Sequence, residues 1–207
     1  MNKISVVGLG PGHSDYILPI AIKTINEADI IIGGSRNLQS IDTSGKTVFP
    51  ITADLSKVID IIKGNHLASK IAVVVSGDTG FYSLLRYLKK HLENDMLQVI
   101  PGISSLQYMF ARIGHSWEDA YIGSLHGREN DFVDMVKKYK KVGLLTDKKW
   151  TPVSIAKELA LNGVSDRTIY IGENLSYENE KITIGSVEQI IDSGTYDMCV
   201  VVIVDEK

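Results

Sequence analysis

Apolar residues along this chain fall into short unbroken runs, separated by stretches in which they recur at helical spacing. Ile4-Ser5-Val6-Val7 is a β-branched run that ends in Gly8-Leu9-Gly10-Pro11-Gly12, the pattern of a buried strand entering a glycine loop. Ile17, Ala21, Ile25 and Ala28 predict a helix, and Asp29 to Gly33 a second buried strand. Leu55, Val58, Ile59 and Ile62 mark another helical stripe, with Gly64 placed to stop it. Ile71 to Val75 is a further buried strand running into Ser76-Gly77-Asp78-Thr79-Gly80, and a helix is expected over Phe81 to Leu92. Leu97 to Ile100 reads as a strand and Pro101-Gly102 as a turn. Ser104 to Ile113 reads as a helix, with Gly114 after it.

Strands alternating with helices predict an α/β fold with parallel pairing. Parallel strands are covered on both faces, which explains runs that are apolar throughout. Ligands of such sheets bind at the loops after the strands' C-terminal ends, here GLGPG, SGDTG and PGISS. The pattern loosens between Gly114 and Asp119, and a domain boundary is expected near residues 114–120. Beyond it come a strand near Tyr121-Ile122, a polar loop from Ser124 to Asn130, a helix over Asp131 to Tyr139 and a strand over Val142 to Leu145. Pro152 suits the first turn of the next helix and Gly163 the position after its end. Strands near Thr168 to Ile171, Lys181 to Ile184 and Met198 to Val204 follow, with a short helix over Val187 to Ile191.

At 207 residues the chain is long enough for one large or two small domains, and it needs no disulfide or metal to hold a core. It carries 22 basic against 25 acidic residues, so the net charge of −3 argues against a general nucleic-acid binder. The single cysteine, Cys199, excludes an internal disulfide and reads as a buried thiol in a strand. No longer apolar segment follows the first strand as a signal peptide would require, and no run approaches the ~20 residues of a membrane span. A cytoplasmic protein is the expectation.

Several familiar motifs fail on inspection. A dinucleotide fingerprint needs Gly at position 13, which is His13; Pro11 removes an N–H, and the second strand ends in Ile32-Gly33-Gly34-Ser35-Arg36 without the acid that holds ribose. The glycine loop is then either a tight turn or a loop for another ligand. Gly45-Lys46-Thr47 lacks the earlier glycine of a P-loop, because position 40 is Ser40, and reads as a turn. Asp78-Thr79-Gly80 is a single copy of a motif that acid proteases need twice; the other reading is one carboxylate pointing at a ligand. The five histidines form no pair at metal spacing. Ser104 or Ser105 either caps a helix or holds a polar ligand group. Ser124-Leu125-His126-Gly127-Arg128-Glu129 is either a solvated loop or a source of acid/base and anion-binding groups.

In this order and at this spacing, strand–GLGPG, strand–SGDTGFYS and strand–IPGISS resemble the tetrapyrrole methylase family, over essentially the whole chain. Ile32-Gly33-Gly34-x-Arg36-x-Leu38, Phe110-Ala111-Arg112, Ser124-Leu125-His126-Gly127-Arg128, Leu145-Thr146-Asp147 and Glu173-Asn174-Leu175 are similar to the branch acting on C5 of cobalt-precorrin-7 in cobalamin biosynthesis. Two departures are Thr79, where many relatives carry Pro, and His13, where other branches often carry Asp. The resemblance implies two α/β domains. Residues 1–116 would form the N-terminal domain with the glycine loop and substrate cleft, and residues 117–207 would complete the S-adenosylmethionine site.

The same resemblance implies cofactor contacts at Pro11, Ser76, Gly77, Asp78, Phe81, Ser104, Ser105, Thr146, Asn174 and Leu175. Macrocycle carboxylates would meet Arg36 and Arg128, with Arg86 and Arg112 as further basic residues. His126 and Glu129 are the candidates for moving a proton, the imidazole first because its reference pKa lies near neutrality. No metal site is implied. The expected partners are a corrinoid macrocycle and a second copy of the chain, with neither nucleic acid nor membrane. Some relatives carry a second, decarboxylating methylase after this region. Here the chain stops at Lys207, so methylation at C15 is expected on a separate chain. Two other readings are a methylase acting on another macrocycle carbon and a non-catalytic subunit that binds S-adenosylmethionine.

Overall fold

The structure, a computed structural model, describes residues 3–125 and 131–207. It divides into two compact units, Met1–Ser104 and Ser105–Lys207. In the first, strands β1 (Ile4–Gly8), β2 (Ile30–Gly33), β3 (Thr47–Pro50), β4 (Ile71–Val75) and β5 (Leu97–Ile100) alternate with helices α1 (Pro19–Glu27), α2 (Ser35–Gln39), α3 (Ser56–Asn65) and α4 (Leu85–His91). The strands pair in the order β3-β2-β4-β1-β5, all parallel.

Strand periodicity sorts the apolar runs onto two faces. Ile4, Val6, Ile30, Ile32, Ile71 and Val73 pack with Val58, Ile59 and Ile62 of α3 and Leu88 of α4. Val7, Ile31, Ala72 and Val74 pack with Ala21 and Ile25 of α1. The connections after neighbours β1 and β4 therefore leave on opposite faces, and this marks the C-terminal ends of those two strands as the sheet's switch point.

Three local differences from the sequence pattern have physical causes. Strand β3 has no apolar signature because it is an edge strand with no fully buried residue. Helix α3 runs on through Gly64, where nothing forces the chain out of helical geometry. Helix α4 begins at Leu85 rather than Phe81: Tyr82 sits at φ +50° and the Ser83 hydroxyl takes the Leu85 N–H at 3.1 Å, a local alternative to the first helical turn.

In the second unit, α5 (Ser105–Ile113), β6 (Tyr121–Ser124), α6 (Phe132–Lys138), β7 (Lys141–Leu145), α7 (Pro152–Leu161), β8 (Thr168–Glu173), β9 (Lys181–Ser186), α8 (Val187–Ile191) and β10 (Cys199–Val204) build a sheet in the order β6-β7-β10-β8-β9. Only β6 and β7 are parallel; every other pair is antiparallel. The expected parallel pairing fails here because β8 and β9 are joined without a helix and β10 inserts between β7 and β8. One face carries Val142, Leu144, Ile169, Ile171, Val201 and Ile203 against helices α6, α7 and α8.

Helix α5 packs against β7 and β10, with Leu106, Met109 and Phe110 fully buried. Gly143 and Gly172 make room for it: a Cβ at Gly143 would lie 3.1 Å from the Phe110 ring, and one at Gly172 would lie 2.6 Å from Met109 Sδ. The compact units divide at Ser104/Ser105, whereas 116/117 is the division that the resemblance implies.

Candidate functional site

The first unit brings its three glycine loops to one rim. Strands β4, β1 and β5 are neighbours, and the register pairs Gly8 with Val75 and Val7 with Ile100, so the loops leave the sheet at the same level. Gly10 and Gly77 exchange backbone hydrogen bonds of 3.2 and 2.8 Å. A Cβ on Gly8 would stand 2.7 Å from both the Gly102 nitrogen and the Gly77 oxygen, and one on Gly102 would run into the Gly77 oxygen and the Gly8 backbone. Gly8 and Gly102 thus serve loop-on-loop approach. Gly77 (φ +67°) sustains a turn that L side chains rarely adopt.

Asp78 holds these loops together. Its Oδ1 accepts the Gly80 N–H at 2.8 Å and its Oδ2 accepts the Gly102 N–H at 3.1 Å. Each carboxylate oxygen keeps a further lone pair for a ligand donor. Along these loops Ser76 and Pro101 are exposed, while Pro11, Gly77 and Phe81 are half-buried. Ser104 is 7% exposed, and Ser105 opens α5 half-buried. The loops 8–12, 76–80 and 101–105 hold a carboxylate and four hydroxyls and contain no Lys or Arg. That donor set fits a cationic ligand rich in hydroxyls.

In the second unit, Thr146, Cys199 and Glu173 line one end of the sheet, where Cys199 pairs with Glu173. The Thr146 hydroxyl donates to the Cys199 carbonyl at 2.6 Å and lies 3.4 Å from Sγ. Burial pushes the Cys199 thiol up from its ordinary pKa, and the Glu173 and Asp197 charges add to it against the hydrogen bond shared with Thr146. This thiol is half-buried rather than fully buried. Glu173 is 7% exposed, and its Oε1 accepts the Asp197 N–H at 3.0 Å.

Asn174 (φ +47°) and Ser176 (φ +69°) carry left-handed backbone without being glycine, and such positions cluster where surrounding structure holds them for function. Leu175 between them is buried. Arg36 is exposed on α2. His126, Arg128 and Glu129 lie outside the described residues. Arg112 has a definite structural partner: its Nε donates to Glu180 Oε1 at 2.7 Å. Glu180 was missed from sequence. It stands 68 residues from Arg112, and no periodicity links the two.

Comparison with known proteins fits this architecture. Residues 3–191 match the family described as Tetrapyrrole (Corrin/Porphyrin) Methylases. A Salmonella typhimurium (strain LT2) protein named cobalt-precorrin-7 C(5)-methyltransferase is 35% identical over 204 residues, 99% of this chain and 100% of that one. The crystal structure of precorrin-6Y methylase from Archaeoglobus fulgidus is similar with a TM-score of 0.73 and 22% identity, covering 99% of this chain and 98% of that one. Uroporphyrin-III C-methyl transferase from Thermus thermophilus, complexed with S-adenosyl homocysteine, gives 0.79 at 17% identity over 99% and 98% of the two chains. Those two likenesses establish the fold.

Proposed function

The chain belongs to the tetrapyrrole (corrin/porphyrin) methylases, and from that premise we propose that it methylates C5 of cobalt-precorrin-7 in cobalamin biosynthesis. The observation that carries this reading is the full-length match to a relative named for that reaction. The relative's name covers C(5) alone, which supports leaving C15 methylation and decarboxylation to a separate chain. Homodimerisation rests on the family resemblance, and a cytoplasmic location is the default reading of the sequence.

S-adenosylmethionine supplies the methyl group, leaving its sulfonium as a neutral thioether when the carbon–carbon bond forms. The chain's residues then need to bind, align and exclude water more than to react, since reacting atoms held ~3–3.5 Å apart in line already lower the barrier. In this reading Asp78 accepts hydrogen bonds from cofactor donors while continuing to brace its loops. Pro11, Ser76, Gly77, Phe81, Ser104 and Ser105 surround the cofactor. Thr146, Asn174 and Leu175 are the cofactor contacts proposed for the second unit. Arg36 and Arg128 take macrocycle carboxylates, and His126, with Glu129 in reserve, moves the proton that the ring carbon must lose.

The test is calorimetric titration with S-adenosylmethionine, with NAD as control, followed by single-turnover methyl transfer to cobalt-precorrin-7. Stoichiometric binding of the methyl donor, none of NAD, and one methyl transferred are expected. Binding without any transfer would make the chain a non-catalytic subunit, and transfer to another carbon would change the branch. Arg128→Ala should weaken macrocycle binding and leave S-adenosylmethionine binding intact; equal loss of both would remove Arg128 from the substrate side.

A further inference from the structure

The second unit holds a charged network that the methyl transfer does not itself require. Glu180 lies between β8 and β9 with its side chain 14% exposed. Its Oε2 accepts the Ser176 N–H at 2.6 Å, its Oε1 accepts Arg112 Nε–H at 2.7 Å, and the Tyr108 hydroxyl donates to the same carboxylate. Arg112 and Tyr108 both belong to α5. The segment they hold, Asn174 to Ser176, has two non-glycine residues at positive φ, a conformation that persists only when its surroundings over-determine it. Leu175 and Met109 both occupy the space beside Gly172, where an added Cβ would meet Leu175 Cδ2 at 2.7 Å and Met109 Sδ at 2.6 Å. Helix α5 therefore grips this segment twice, by packing through Met109 and by charge through Arg112. The same helix carries Ser105 at its first turn.

We propose that Glu180, clamped by Arg112 and Tyr108, is a positioning residue that locks residues 174–176 in the backbone conformation that receives S-adenosylmethionine. The proposal rests on reading Asn174 and Leu175 as cofactor contacts. The Leu175 side chain is committed to packing, so the segment meets the cofactor through its main chain, and main-chain geometry is what Glu180 controls.

The experiment titrates S-adenosylhomocysteine into wild type, Glu180→Ala, Glu180→Gln and Asp119→Asn, with hydrogen exchange at 174–177 followed in wild type. Asp119 pairs with Lys141 at 2.5 Å in the same unit and controls for loss of an ion pair alone. The ligand should slow exchange at 174–177. Glu180→Ala should weaken binding on the order of tenfold, the effect of losing a charge-assisted hydrogen bond that orders a loop. Glu180→Gln, which keeps an acceptor for Ser176, should weaken it less, and Asp119→Asn should bind as wild type. If 174–177 are protected and Glu180→Ala binds like wild type, or Asp119→Asn weakens as much, the proposal falls and the cofactor reading stands. If the ligand leaves 174–177 unprotected, both fall. Arg112→Leu repeats the test should Glu180→Ala not fold, with the same expected weakening and the same overturning result.

Discussion

Among single residues, glycines separate most sharply by what surrounds them. A Cβ added to Gly102 would run into the backbone of Gly77 and Gly8, whereas one on Gly64 would meet nothing within 4 Å. Gly102→Ala should therefore destabilise the protein by about 2 kcal/mol or more, since backbone rather than a flexible side chain must move. Gly64→Ala, in helix α3, should stabilise it by ~0.5–1 kcal/mol by restricting the unfolded chain. Thermal unfolding of the two variants checks both signs; a neutral Gly102→Ala would mean that the loops around Gly8, Gly77 and Gly102 can part without cost. Asp78 was legible as a carboxylate at a strand end. Its bond to the Gly102 N–H, 24 residues away, was not, because spacing along the chain says nothing about which loops meet.

Between elements, the contact of α5 with the β8–β9 connection carries a pH signature. Burial raises the Glu180 carboxyl, yet the Ser176 N–H, the Tyr108 hydroxyl and the Arg112 guanidinium outweigh it and hold the pKa below the ordinary 4.5. A depressed carboxyl contributes stability above its unfolded pKa and loses it as pH falls through the folded one. Wild type should thus exceed Glu180→Gln in stability at neutral pH by an amount that holds down to about 4.5 and then narrows. Denaturant unfolding across that range measures it; a gap that widened in acid would reverse the assignment. Helix α5 itself was legible over Ser104 to Ile113, with Gly114 after it. Its packing was not, because no local period tells which strands a helix covers; Gly143 and Gly172 make room for it there.

For the whole molecule, ligand binding should register as stability. A ligand that binds only the folded chain stabilises it by about 2.7 kcal/mol at a hundred times its dissociation constant. S-adenosylhomocysteine should raise the melting temperature with increasing concentration, and NAD should not. A rise with NAD alone would contradict the failed fingerprint at His13 and the absent ribose acid, and with it the membership of this site in methyl-donor chemistry.

Local order was readable directly from the residues. Runs such as Ile71 to Val75 and stripes such as Val58, Ile59 and Ile62 announce strand and helix, because side-chain direction repeats every two or 3.6 residues. Glycine marks several of the ends, as at Gly114 and Gly163, though not at Gly64. The three loops in order were enough to point to the family. Pairing is a different kind of fact. That β4, β1 and β5 stand together and align GLGPG, SGDTG and PGISS, that β10 enters antiparallel between β7 and β8, and that Arg112 reaches Glu180 all depend on which distant surfaces bury each other and which backbone donors find acceptors. Those choices are made by burial and hydrogen bonding in three dimensions, and no local period encodes them.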